Sequence, residues 1–498
     1  MDARSQLLDD LATGRTTFEQ LVDRVLILEA KLHDAQQRIA ELEPKTAPPP
    51  LDYSMQAEEK RQQARGRKPR KPKIITRRGR ITTAEKIKLA QKTLIVYPEG
   101  VDPDLCKFSH TRVLWQLDDH HHAIFVAYQI YRGPKNQYGK IPNALGRSEF
   151  GLDIAVTIAH LVYVVGLSFD KVCGVLKFFQ NLPLEKSQAD KVLHYLAKHW
   201  ENQFETLVTL LANSAIVNTD ETNWSLQSVW AFASEQARIL LHGVPKDGET
   251  LKAILNPATF LGLIISDDAS VYLYFTNAQK CWAHLLRKAI KLTLLDPENA
   301  TYRSFTDELL KIYHRAVQAQ IDGRLGDIGL ASRVDELTIA IYELCDPMWD
   351  PEASPSTGPA NAFRLLINEV MRLLEAGELL TFMMTPPAVQ PNGETKSAPG
   401  TNNEAERILR TPAEARKTGR TNKTMRGARR QTIVVSVLRS LSVYLNTYTL
   451  SSVLQEVMSW WALGRSCFEV WRKKQGISAL TDSVLDKLYP KVEAIPSG

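Results

Sequence analysis

The sequence predicts an α/β fold, a mixed sheet with helices, carrying a helical insertion and preceded by a helical region and an N-terminal coiled coil. Three observations support that expectation. Apolar runs at 214–217, 228–234, 238–244 and 260–265 have strand length and end in polar turns. From 285 to about 381 apolar residues recur at helical spacing, broken at Asp346-Pro347 and over 350–359. Between 18 and 42 the apolar positions Phe18, Leu21, Val25, Leu28, Leu32, Ala35, Ile39 and Leu42 step, after the first interval, by four and three, the seam of a coiled coil.

The chain has 498 residues, enough for two to four domains, and its 62 Lys+Arg against 56 Asp+Glu leave a net charge of only +6. That total hides two concentrated basic segments. Cys106, Cys173, Cys281, Cys345 and Cys467 show no paired spacing, as expected of reduced thiols in a cytoplasmic protein. The first residues lack an uninterrupted apolar stretch, so no secretory signal is expected, and the apolar run 154–167 is too short to span a bilayer. It reads as a buried helix, and no membrane association is expected.

Taken in order, residues 1–45 form the heptad helix, which either dimerises or packs on its own chain. Glu43-Pro44 and Pro48-Pro49-Pro50 break it. The arm 46–81 follows, and between 60 and 80 it holds eleven Lys or Arg and no acid, including Arg65, Arg67, Lys68, Arg70, Arg77, Arg78 and Arg80. Such a segment cannot build a core. Its chemistry is phosphate attraction, and Arg beside Gly in extended backbone also suits a narrow minor groove. Residues 82–147 make a small mixed region, with a helix expected over 82–97 and with Cys106, His110 and His120-His121-His122 as its notable side chains. One cysteine with no second at ligand spacing argues against a zinc site there and for packed or solvated histidines.

Residues 148–210 read as three helices. Ser168 opens the second, Asn181-Leu182-Pro183 makes a turn, and Ser187-Gln188-Ala189-Asp190 reads as the capping box of the third. Helix, turn and helix suits DNA binding and ordinary bundle packing equally. The catalytic segment is expected over 211–445, with the helical insertion at 285–395, a loop from Pro386-Pro387 to Gly400, and C-terminal helices over 446–498.

Three acidic segments stand out. Asn218-Thr219-Asp220-Glu221-Thr222 closes the first strand run, Ser266-Asp267-Asp268 ends the run 260–265, and Asn402-Asn403-Glu404-Ala405-Glu406-Arg407 opens a basic helix. Two carboxylates at strand ends and a third on a later helix are what a pair of magnesium ions needs to cut or join phosphodiesters. Neighbours in an extended chain face opposite ways, so only one of Asp267 and Asp268 can face Asp220. Glu404 and Glu406, about 200° apart round a helix, cannot both line one site. Between 407 and 430 lie nine Lys or Arg, among them Arg407, Arg410, Arg416 and Lys417, against the single acid Glu414. They form a phosphate track or a solvated basic face, and the adjacent carboxylate favours the track.

These segments, with Cys281-Trp282-Ala283-His284 and Arg287-Lys288, resemble in order and rough spacing the insertion-sequence-66 family of DDE transposases. The resemblance covers about 145–445 and implies a ribonuclease-H-like core. It implies Asp220, Asp267 and Glu406 as the metal-holding catalytic triad, with Asp220 bridging. It places His284, Arg287 and Lys288 near the scissile phosphate, although Trp282 and Cys281 also fit a simple core. It further implies two Mg²⁺ ions, for which Mn²⁺ can substitute; zinc is not expected, since Cys281 has no sequence partner. The activity implied is cleavage at the ends of a bacterial mobile element and strand transfer, in a homodimer or higher synaptic complex, with accessory proteins of the same element as further partners. Two rivals remain, a DNA-binding relative without catalysis and a nuclease of the same core without strand transfer. No glycine-rich phosphate loop is present, so nucleotide hydrolysis is not expected.

Overall fold

The computed structural model describes residues 81–142, 144–349 and 357–490. Chain packing divides the molecule at 76/77, and all described residues fall in the unit 77–498. The heptad helix and the basic arm, with Arg65, Arg67, Lys68, Arg70, Arg77, Arg78 and Arg80, lie outside the described residues.

The first described element is α1 (Thr83–Lys88), whose N-terminus is closed by the Thr82 hydroxyl accepting from the Glu85 amide at 3.2 Å. The helix expected over 82–97 stops there, because Lys92-Thr-Leu-Ile-Val is β-branched and finds a pairing partner. It forms β1 (Lys92–Val96), parallel to β3 (Ala123–Arg132), which β2 (Lys107–Leu117) flanks antiparallel in the order β1-β3-β2. The three histidines make the β2–β3 turn. Asp118 accepts from the amides of His120 at 2.9 Å and His122 at 2.8 Å, and His121 takes φ +63°.

Helix α2 (Leu152–Ala159) is buried over its whole length and runs on as a π-turn, His160–Val164. It is followed by α3 (Phe169–Gln180), capped by Ser168 as expected, α4 (Lys186–His199) and α5 (Glu201–Ala212). The cap of α4 differs from expectation. Glu185 takes the N-cap place and donates its amide to Gln188 Oε1 at 2.9 Å, so Ser187 lies inside the first turn. Val172, Leu176, Val192, Leu193 and Leu196 share one core with the large sheet. The helical hairpin is therefore part of the sheet's support, and residue 210 separates no two cores.

That sheet has five strands, β4 (Ile216–Asn223), β5 (Ser228–Ser234), β6 (Arg238–Val244), β7 (Leu263–Ser266) and β8 (Ala278–Lys280), with α6 (Gly248–Ile254) between β6 and β7. Their order is β6-β5-β4-β7-β8; β4 to β6 form an antiparallel meander, while β7 and β8 run parallel to β4. Strand β4 extends past the run 214–217, because its pairing with β5 continues to Asn223↔Ser228. Asp220 therefore lies within the strand and not at its end.

Alternation along β4 and β7 splits the apolar residues between two cores. Val217 and Ile264 face the core shared with α2 to α5, whereas Ile216, Leu263 and Ile265 face a second core. The second core is built by α7 (Trp282–Leu295), α8 (Ala300–Ile321), α9 (Asp327–Cys345), α10 (Pro359–Glu375) and α11 (Thr381–Met384). Each fully buried Leu, Ile or Phe contributes about 2 kcal/mol. The insertion is broken at 296–299 and 322–326 as well as after Cys345, at the expected Asp346-Pro347; most of the other expected break, 350–356, lies outside the described residues. The loop expected from 386 contains a small hairpin, β9 (Ala388–Val389) and β10 (Thr395–Lys396).

The chain returns in α12 (Asn403–Lys417) and α13 (Met425–Tyr444), and ends in α14 (Leu450–Leu463), α15 (Cys467–Lys474) and α16 (Val484–Leu488). Helix α13 closes the exposed edge of β6. Thr432 Oγ1, Ser436 Oγ and Ser440 Oγ accept from the amides of His242, Leu240 and Arg238 at 2.9, 3.0 and 2.9 Å. The match works because four helical residues rise about 6 Å and two strand residues about 6.8 Å. An edge that would otherwise invite pairing is thus satisfied by side chains. No helix among the described residues is long and apolar enough to cross a membrane.

Candidate active site

Asp220 and Asp267 occupy equivalent places on neighbouring parallel strands. The last parallel pair is Asn218↔Ile265, and each aspartate lies two residues beyond its member of that pair. Two residues on restores the same face. Glu221, one residue on, points to the other core, where Lys246 Nζ reaches its Oε1 at 2.8 Å and the buried Tyr272 hydroxyl donates to its Oε2. Asp268 turns away to an ion pair with Arg372 of α10.

Helix α12 is brought to these strands by its first residues. Asn402 is fully buried, donates Nδ2 to the Thr219 carbonyl at 2.6 Å, and donates its backbone amide to Cys281 Sγ at 3.1 Å. Asn218 Nδ2 reaches the Thr401 carbonyl and Asn402 Oδ1, both at 3.4 Å. These bonds pin the N-terminus of α12 to the strand that carries Asp220. Of its two acids, Glu404 turns into an ion pair with Arg238 Nη2 at 2.5 Å and with Lys396. Burial pushes the Glu404 carboxyl up, but these two cations hold it below its usual value. Glu406 instead faces Arg287 Nη2 at 2.6 Å and His284 Nε2 at 3.7 Å.

The three predicted acids come close enough to interact electrostatically. The Asp220 carboxyl is pushed from 3.8 to about 7, first by burial, then by Glu221, with Asp267 and Glu406 adding to the rise. Burial is the leading cause of that shift, and the neighbouring like charges add to it. Among the described residues no Lys or Arg lies within ion-pair distance of Asp220 or Asp267. The donor set is hard carboxylate oxygen, which fits a magnesium-class cation, and the crowded negative charge gives such a cation an electrostatic reason to bind.

Cys281 is the N-cap of α7, so that helix begins at Trp282, three residues earlier than expected, and His284 stands in its first turn. Burial and Arg287 hold the His284 imidazole below its usual value. Lys288 Nζ is tied to Glu369 Oε1 at 2.6 Å. Together with Asp267, Lys280, His284, Lys291 and Arg372, it lines a groove of about 830 Å³ between α7 and α10. Lys280 carried no sequence signal. It is almost fully buried, with Nζ 3.5 Å from Ser266 Oγ, and burial lowers its value against the pull of Glu378, Asp268 and Asp267.

The basic track divides in two. Arg407, Arg410, Lys417, Lys423 and Arg426 are exposed. Arg416 turns back to the Asn223 carbonyl at 2.5 Å and Thr222 Oγ1 at 3.2 Å. Arg429 pairs with Glu201 at 2.6 Å and Arg430 with Asp190 at 2.5 Å, both helping to hold α13 against α4 and α5. The run of nine is therefore not one surface, because its last two members spend their charge inside the fold.

A family model described as the Transposase IS66 family matches residues 147–430, more than half of the chain. The chain belongs to that family. No individual curated protein matches it. Membership makes this transposase a DNA-processing enzyme in general terms, and the matched span runs from the start of the helical region through Asp220, Asp267, Glu406 and the basic residues as far as Arg430.

Proposed function

We propose that the protein is a transposase of a bacterial insertion sequence that binds the ends of its element and cleaves and joins DNA through Asp220, Asp267 and Glu406. The observation that carries this reading is the placement of Asp220 and Asp267 two residues beyond one parallel pair of β4 and β7, with Asn402 and Asn218 pinning the α12 start that carries Glu406 to β4. The sheet order, an antiparallel meander followed by two parallel strands, supports the ribonuclease-H-like core that the family resemblance implies.

Asp220, Asp267 and Glu406 would hold two Mg²⁺ ions, which would supply Lewis-acid activation of a water or 3′-hydroxyl and stabilisation of the leaving oxygen. The chain's own residues do the rest. Asn402 and Asn218 hold the carboxylates in one place by fixing α12 to β4. Arg287 balances Glu406 from a half-exposed position, with its Nε donated to the Ala283 carbonyl at 3.0 Å. Lys291 along the groove, and the exposed Arg407, Arg410 and Lys417 on α12, give the DNA backbone its track.

The test is purified protein with Mg²⁺ and labelled element-end DNA. Nicking followed by joining is the expected result. Binding without nicking would mark a regulator, and nicking without joining a nuclease.

A further inference from the structure

Beside the carboxylates lies a second group of ligands, of which the proposed two-cation chemistry uses only Glu406. Cys281, His284 and Glu406 each offer one ligating atom, and these atoms all lie within 4.8 Å of one another. In sequence Cys281 has no partner; the fold supplies two. Cysteine at the N-cap of α7 and histidine in its first turn point the same way, and the pinned α12 brings Glu406 to meet them.

The geometry is near that of a tetrahedral transition-metal site. Metal–nitrogen and metal–oxygen bonds of about 2.0 Å and metal–sulfur bonds of about 2.3 Å place ligand atoms about 3.3–3.6 Å apart. His284 Nε2 and Glu406 Oε1 are already 3.7 Å apart. The other ring nitrogen, Nδ1, is buried without a hydrogen-bond partner, so no hydrogen bond there commits the imidazole to one tautomer. At Cys281 burial pushes the thiol up, while amide donation, led by Asn402, works against it. A bound metal displaces that proton. Sulfur and imidazole select against magnesium and for softer ions.

We propose that Cys281, His284 and Glu406 form a site for a soft divalent transition metal of the zinc class, with three protein ligands and an open fourth position. Occupancy takes Glu406 away from the magnesium pair and so turns cleavage off. That second consequence rests on the proposed two-magnesium reading, while the site itself does not. Arg287, which neutralises Glu406 in the free protein, is the competitor that the metal must displace.

The experiment titrates the full-length, magnesium-free protein with Co²⁺ as an optical probe. One equivalent should give intense tetrahedral bands and a thiolate-to-cobalt charge-transfer band. Cys281→Ser should abolish the charge-transfer band and weaken binding about 100-fold, the upper end of what losing even a supporting contact costs a metal site. His284→Ala should weaken the remaining bands. Arg287→Ala, on a half-exposed side chain, should tighten cobalt about fivefold by removing the competing cation, and this variant keeps the test valid should Cys281→Ser fail to fold. No charge-transfer band, or one that survives Cys281→Ser, overturns the site.

Zn²⁺ is then added to magnesium-supported nicking of element-end DNA, and each variant is scored by its ratio with and without zinc. Wild type should be inhibited, with inhibition relieved by excess Mg²⁺ and reduced in Cys281→Ser. Cobalt binding as expected with no zinc inhibition overturns the sharing of Glu406. Cobalt binding with no nicking under any condition overturns the transposase reading and leaves the metal site standing.

Discussion

Each of the three proposed catalytic acids has an acidic neighbour in sequence that faces elsewhere, and the two groups differ in the cations that face them. Glu221 has Lys246 and the Tyr272 hydroxyl, Asp268 has Arg372, and Glu404 has Arg238 and Lys396. Asp220 and Asp267 have no Lys or Arg within ion-pair distance among the described residues, and Glu406 has Arg287, whose side chain is 56% exposed. The neighbours are acids with a cation supplied by the fold. Asp220 and Asp267 are left without such a cation, and Glu406 shares Arg287 with solvent, as the proposed metal reading requires. The same chemical group at neighbouring positions is thus paired by the fold in one case and, on that proposal, open to a ligand in the other.

The largest effects should break this comparison along its own line. Asp220→Asn, Asp267→Asn and Glu406→Gln should each lower DNA cleavage on the order of 1,000-fold, the scale of losing a cation worth several kcal/mol to the transition state, with end binding retained. Asp268→Asn should stay within about tenfold of wild type by the same scale. A dead Asp268→Asn beside an active Asp267→Asn in a nicking assay would exchange their roles. Stability should show the converse. Glu404→Ala strands Arg238 and Lys396, whose side chains are only 15% and 11% exposed, and should cost about 3 kcal/mol in denaturant unfolding. Glu406→Ala strands only the half-exposed Arg287 and should cost about 1 kcal/mol or less.

How far the sequence could lead is visible in the same residues. The three segments and their order were legible, because strand runs, polar stops and an Asn-rich helix start are local signals. Facing was legible only as an exclusion: one acid of each pair at most, with the resemblance choosing which. The register Asn218↔Ile265 and the partners Arg372 and Arg238 are contacts across long stretches of chain, and no periodicity encodes them. Strand β1 was missed because Lys92-Thr-Leu-Ile-Val follows a capped helix start, and only pairing with β3 decides its state. The meeting of Cys281 and His284 with Glu406 was invisible for the same reason, since Glu406 arrives from a distant helix.

The pH dependence sharpens the comparison further. The native Asp220 carboxyl titrates at about 7, above its ordinary 3.8. A raised value means that the folded state holds the proton more tightly. The stability it contributes is complete below the unfolded value and is lost as pH rises through about 7. In chelator, then, wild type should lose stability between pH 4 and 8, and Asp220→Asn should recover on the order of 1–3 kcal/mol at pH 8 and little at pH 4. Magnesium should produce a similar rescue of wild type at pH 8. Equal unfolding midpoints for wild type and Asp220→Asn at pH 8 would show that the Asp220 carboxyl is not raised in the folded protein.

The smallest effects extend the comparison to the cations, because the basic residues from 407 to 430 divide as the acids do. Lys417, Lys423 and Arg426 are exposed, while Arg429 and Arg430 are held by Glu201 and Asp190. An exposed cation that meets a phosphate releases a counterion, so neutralising one should lower the slope of log affinity against log salt by about 0.9. Lys423→Ala and Arg426→Ala should each do this, weakening binding by a similar factor on every DNA sequence. Arg430→Ala should leave the slope alone and instead loosen α13 from α4, since it removes the partner of Asp190 and the donor to Tyr163 Oη at 2.9 Å. If Arg430→Ala lowers the salt slope as much as Lys423→Ala does, its ion pair opens on DNA, and the line between structural and waiting charges is drawn by the ligand and not by the fold.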